Sequence, residues 1–295
     1  MTKMNEMVGE IPPRPRDGRL AGKVAIVTGA GAIGESWGIG RAISVLLGRE
    51  GATVVAVDRD GPAAEFTAGL IRANGGQSES IAADLLQAEN MEQVTARCME
   101  RHGRIDILVN GVGGGGPGGG ISTSEAAWRT SLDLNLTTAF FATRSVLPAM
   151  VEAGRGSIVH IGSMAGIRYP GTATLAYSVA KAGLLQLSRM IALEFAASGI
   201  RSNYLALGHV DTPEIRRRIE ERYGAGNLDR VMEIRAGVVP QKRNATVWEI
   251  ADAVLFLASD ESSHVTAAEL SIDGGSASLS VASYLTEADR LFKTG

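Results

Sequence analysis

Short apolar runs alternate with longer stretches of helical apolar spacing along most of the chain. From Lys23 to Gly29 the sequence reads as a β-branched run that ends in glycine, which predicts a buried strand. A helical pattern follows from Ile39 to Glu50 and stops at Gly51, and a second strand is predicted over Thr53–Asp58. The alternation continues with a helix over Gly61–Asn74, a strand over Ser80–Ala83, a helix over Ala88–His102 and a strand over Ile105–Val109. In the second half the pattern predicts a long helix over Glu125–Ala153, a strand over Ser157–Ile161, a helix over Ala173–Ala197 and a strand over Arg201–Ala206. A polar, charged segment from Glu214 to Asn244 interrupts it, before a helix over Trp248–Ala258 and a strand over Glu269–Ile272. Strands that are apolar on both faces and alternate with helices imply an α/β fold, a Rossmann-like doubly wound parallel sheet covered on both sides. No shift of composition divides the chain. The expectation is one domain over 21–275, a polar tail over 1–20 and an extension over 276–295.

Composition changes this picture in one respect. Apolar residues at 45% and charged residues at 21% are ordinary, but 37 of 295 residues are glycine, where about 21 would be usual. Gly29–Gly40 holds five glycines and Gly111–Gly120 holds eight, so thirteen fall within 22 residues. A net charge of −3 gives no electrostatic support for a nucleic-acid or membrane partner. The lone Cys98 cannot form an internal disulfide and reads as a buried thiol. No run reaches the roughly 18 apolar residues of a membrane span, and the start lacks a signal-peptide core, so a cytoplasmic protein is expected.

Candidate chemistry sits on loops at the ends of the predicted strands. A glycine-rich turn from the first strand into the first helix, containing Gly29, Gly31 and Gly34, suits a pyrophosphate, because bare backbone and free N–H groups can approach the anion. Asp58 ends the second strand, where a carboxylate can accept from ribose hydroxyls. Tyr177 and Lys181 are four apart on a predicted helix and share one face. An ammonium there is expected to pull the phenol pKa down from about 10, making it usable as a general acid or base. Ser163 follows the strand that ends at Ile161.

Thr28-Gly29, Gly38-Ile39-Gly40, Asp58, Asp84, Asn110 to Gly113, Tyr177 to Lys181 and Ile272 to Gly275 together resemble the short-chain dehydrogenase/reductase family. The ordered set, from about Leu20 to Gly275, carries the resemblance rather than one motif. Two departures stand out. Eight residues separate Gly29 from Gly38 where the family has three, so Gly34 to Trp37 should bulge, and Leu207-Gly208 replaces a usual Pro-Gly.

The resemblance implies an NAD(P)-dependent enzyme acting on CH–OH groups. In it, Tyr177 is the acid/base, Ser163 orients the substrate oxygen, Lys181 supports the phenolate and the nicotinamide ribose, and Asn135 links the lysine to solvent through water. Implied cofactor contacts are Gly29, Gly31, Gly34, Gly38, Ile39, Asp58, Asp84, Leu85, Asn110, Gly111, Gly208, Val210 and Thr212, besides Tyr177 and Lys181. Asp58 favours NAD over NADP, since a carboxylate repels a 2′-phosphate. No metal is expected. Met164, Tyr169, His209 and parts of the segment Glu214 to Val238 are candidates for the substrate pocket, and the arginines at 216–218 within it read as a solvated helix face.

The expected function is hydride transfer between NAD(H) and a secondary alcohol or ketone, cyclic ones included, in a homotetramer. A 3-oxoacyl thioester reductase using NADPH is the narrower alternative. A dinucleotide-binding sensor or scaffold without turnover is the alternative of another class. Enoyl reductases share the stretched glycine turn but space Tyr and Lys wider than four.

Overall fold

A computed structural model describes residues 18–115 and 119–279. Its sheet runs β1 (Val24–Thr28), β2 (Thr53–Asp58), β3 (Gln77–Ala82), β4 (Ile107–Asn110), β5 (Gly156–Ile161), β6 (Ile200–Leu207) and β7 (Glu269–Ile272). The strand order is β3-β2-β1-β4-β5-β6-β7, and every neighbouring pair is parallel. All five residues of β1 and all four of β4 are buried, as a sheet covered on both faces requires. β3 is an edge strand with a half-exposed, polar sequence. Its first three residues therefore carry no apolar signal, and the strand starts at Gln77 rather than at the expected Ser80.

One face of the sheet is covered by α1 (Ile39–Arg49), α2 (Gly61–Ala73) and α9 (Val247–Ala258), which share a core with β1 and β2. The other face carries α3 (Ala88–His102), α4 (Glu125–Leu132), α5 (Thr138–Glu152) and α6 (Leu175–Phe195). Cys98 lies in that second core, where burial pushes its thiol up to about 12. Leu20, expected in the tail, is fully buried in the first core. Residues 1–17 of that tail and 280–295 of the C-terminal extension lie outside the described residues.

The helix expected over Glu125–Ala153 is not continuous α-helix. Residues Asp133–Thr137 form a π-helical turn between α4 and α5. The widened turn accommodates a buried amide: Asn135 Nδ2 donates to Ser131 O at 3.0 Å and to Gly114 O at 3.1 Å, and its Oδ1 accepts from Gly114 N at 3.0 Å. The charged segment after β6 is also ordered, as α7 (Pro213–Tyr223) and α8 (Leu228–Gly237).

Candidate active site

The strand order reverses between β1 and β4, and in open parallel sheets ligands bind outside the carboxyl ends of the strands at such a point. A cavity of about 340 Å³ opens there. Gly29, Gly31, Gly38 and Ile39 form one part of its wall, and Gly111, Ser163, Tyr177 and Lys181 another. Gly208, Val210 and Thr212 line it from the loop after β6.

The turn between β1 and α1 is shaped for close backbone approach. A Cβ on Gly40 would stand 1.9 Å from Gly29 O, so only glycine lets α1 begin against the end of β1. Gly38 precedes α1 with no side chain capping its N-terminus and no acid in the first turn. The free N–H groups of that first turn thus remain available to an anion. The longer loop does bulge: Gly34 has φ +55°, and Arg41, itself buried, donates Nη1 to Gly34 O at 3.0 Å and to Ser36 O at 2.5 Å. Trp37 folds onto Trp248 of α9, with ring centroids 4.8 Å apart. Gly34 itself is not part of the cavity wall.

Asp58 accepts from Gly31 N at 2.8 Å and Asp60 N at 3.0 Å, which fixes its carboxylate beside the turn. Asp84 is exposed after β3 and lines a neighbouring depression, while Leu85 is buried in the core. Asn110 is buried at the end of β4, where its Nδ2 lies 3.2 Å from both Thr143 Oγ1 and His160 Nδ1. The uncapped α1 turn, the glycine approach and the Asp58 carboxylate beside it fit the pyrophosphate and ribose of a dinucleotide.

The catalytic candidates converge from three elements. Ser163 follows β5, and its backbone is clamped by the Tyr204 hydroxyl, which accepts from Ser163 N at 2.8 Å and donates to Ser163 O at 3.0 Å. Tyr177 and Lys181 project from α6, with Nζ 5.7 Å from the Tyr177 ring centroid. Lys181 is buried and donates to Ile161 O at 2.9 Å. A Cβ on Gly113 would meet Asn135 Oδ1 at 2.8 Å and Lys181 Nζ at 3.1 Å, so the start of the second glycine loop is threaded between these two side chains.

The electrostatics differ from the expectation. Burial pushes the Tyr177 phenol above its usual value, and the opposing influences are the adjacent Ser163 hydroxyl and the charge of Arg218, not Lys181. Burial also lowers Lys181 to about 8, so its own charge is costly here.

Met164, Tyr169 and His209 do not gather in this cavity. Met164 is half-buried in a single 3₁₀ turn, and Tyr169 is 73% exposed. His209 faces a different depression with Gln241 and Arg243, and its Nδ1 lies 3.1 Å from Arg235 O. The segment 214–238, expected to contribute to the pocket, does so through Glu214, Arg218 and Arg235, which line the cavity, although Arg218 reads from the sequence as part of a solvated face. Helical spacing alone does not tell an inward arginine from an outward one in a run of three. Among the described residues no group of three or more His, Cys, Asp or Glu is placed to hold a metal, and no helix is long and apolar enough to cross a membrane.

The family model described as "Enoyl-(Acyl carrier protein) reductase" matches residues 31–277. The 2-keto-3-deoxy-L-fuconate dehydrogenase of Xanthomonas campestris pv. campestris is 34% identical over 269 residues, covering 91% of this chain and 84% of that protein. A Burkholderia xenovorans structure described as a short-chain dehydrogenase/reductase is similar with a TM-score of 0.85 and 43% identity, covering 89% of this chain and 99% of that one. NAD+-bound xylitol dehydrogenase is similar with a TM-score of 0.80 and 29% identity, covering 87% and 99%.

Proposed function

Because the chain belongs to the short-chain dehydrogenase/reductase family and is therefore an NAD(P)-dependent oxidoreductase acting on CH–OH groups, we propose that it uses NAD to interconvert a secondary alcohol and its ketone, cyclic ones included. The observation that carries this reading is the cavity that brings Ser163, Tyr177 and Lys181 together with the uncapped glycine turn.

When bound, the dinucleotide supplies or accepts the hydride. Gly29, Gly31, Gly38 and Ile39, which line the cavity, would hold its pyrophosphate, with Gly34 shaping the bulge. Asp58 would take the adenosine ribose hydroxyls, Gly111 would pack over the ribose, and Asp84, Leu85 and Asn110, which lie outside the cavity wall, would reach the adenosine only from its edge. Gly208, Val210 and Thr212 meet the nicotinamide end. The Tyr177 hydroxyl gives its proton to a ketone oxygen in reduction and takes it back in oxidation. Ser163 orients that oxygen by a hydrogen bond. Lys181, held by Ile161 O, supports the negative phenol oxygen and the nicotinamide ribose, and Asn135 connects Lys181 to solvent through water. Arg41 is folded onto its own loop carbonyls and Arg59 stands exposed beside Asp58, so the support for NAD over NADP is the Asp58 carboxylate, which repels a 2′-phosphate. Large apolar side chains exposed on α5 and α6, among them Phe140, Met190 and Leu193, support a homotetramer.

A screen of secondary alcohols and diols with NAD and NADP tests the reading. Turnover is expected with NAD and to be lower with NADP. Tyr177→Phe should lose at least about a thousandfold in turnover while still binding NADH, as expected for a general acid/base group. Wild-type rates in that variant would overturn the assignment of Tyr177.

A further inference from the structure

The three consecutive arginines of α7 have different fates. Arg216 makes a two-pronged pair with Asp211, at 2.8 and 2.7 Å. Arg217 is held by Glu214 and Glu221 on the outer face. Arg218 turns into the cavity, where its Nε donates to Glu214 Oε1 at 2.6 Å and its Nη1 to Gly115 O. Its guanidinium lies against Gly114 and Gly115 and lines the same cavity as Tyr177.

Arg235 of α8 lines the same cavity. Its side chain makes no hydrogen bond or ion pair among the described residues, and its Nε is buried without a partner. The carboxylate whose charge favours its ionised form is Asp211, whose two oxygens are already taken by Arg216. Lys181, Arg218 and Arg235 therefore face Glu214 as the one carboxylate of the cavity wall, and Glu214 is shared with Arg217. Arg235 is half-buried, with its Nε shut off from solvent, and a guanidinium cannot relieve even partial burial by losing a proton, so an unpaired one lining a cavity suits an anion. Its planar fork suits a two-oxygen group in particular. The cofactor's pyrophosphate has its own donors at the α1 turn.

We propose that the cavity is built for an alcohol or ketone bearing an oxyanion substituent, a carboxylate or phosphate ester, with Arg235 as its counter-ion and Arg218 as the second donor. This rests on the dehydrogenase reading and narrows its substrate class. The test is calorimetric titration of the full chain, with and without NADH, using cyclohexanecarboxylate, cyclohexyl phosphate and the neutral cyclohexanemethanol. At least one anion should bind tenfold or more tighter than the neutral probe, and which one does so identifies the oxyanion. Arg235→Met should erase that preference, whereas Arg235→Lys, which keeps the charge and guards against a folding defect in the first variant, should retain part of it. Equal binding of neutral and charged probes would overturn the proposal. So would a preference that survives Arg235→Met, or an Arg235→Met protein whose only loss is in NADH affinity, since the guanidinium would then serve the cofactor. Failure of the dehydrogenase reading looks different: NADH itself does not bind and no alcohol is oxidised, while the titrations without NADH still decide the anion preference.

Discussion

His160 shows how one side chain near the site links structure to pH. It is fully buried on β5 opposite Asn110 of β4, and its Nε2 has no partner among the described residues. Burial, helped by the charge of Lys181, lowers its pKa to about 3. The unfolded chain binds a proton near pH 6.5 and the folded one does not until about pH 3. Stability is therefore lost as pH falls through that window, by about 1.4 kcal/mol per pH unit for the single proton. His160→Gln should show a shallower decline in urea-unfolding free energy between about pH 6 and pH 4 than the wild type. Identical slopes would mean that His160 is not the proton acceptor. Ser163, Tyr177 and Lys181 were legible in the sequence because their grouping is set by short spacings on a strand end and one helix. The segment that holds Arg218 and Arg235 was legible as part of the pocket, but not which of its residues turn inward, because that depends on how two helices fold back over the sheet edge.

Among the elements, α1 depends most on one missing side chain. Alanine is normally favoured over glycine inside a helix by about 1 kcal/mol. At Gly40 the added Cβ would collide with Gly29 O, and the helix would have to retreat from the strand. Gly40→Ala should therefore reverse the usual sign and destabilise by about 2–4 kcal/mol, read from the urea midpoint, together with weaker NADH binding. A stabilised variant would refute this packing account. The elements buried on both sides, such as β1 and β4, were read from their apolar runs, with β4 starting at Ile107 rather than at Ile105. The π turn at Asp133–Thr137 was hidden because one extra residue in a turn hardly disturbs apolar periodicity, and only the Asn135–Gly114 pairing reveals why it is there.

At the scale of the whole molecule, the parallel sheet collects loops from distant parts of the sequence at one edge. The glycine surplus becomes intelligible there: Gly29 and Gly111 touch backbone to backbone, since a Cβ on Gly29 would lie 3.0 Å from Gly111 O. The molecule's outer surface carries apolar side chains along α5 and α6 that no described element covers, with Leu193 70% exposed. If these faces join four subunits as proposed, light scattering should give a mass roughly four times the 30.8 kDa of one chain. A monomeric mass would remove that part of the reading.

The contact between Trp37 and Trp248 has an optical consequence. The chain has three tryptophans, and two of them meet with their ring planes tilted 58° to each other where the widened glycine turn leans on α9. Trp37 also borders the depression beside Asp211 and Thr212, next to the loop that closes the cavity after β6. Two of the three indoles are thus built into the contact between the turn and α9. Light emitted there is sensitive to how far that turn stands from its support, so the fold carries its own gauge of loop position without any label.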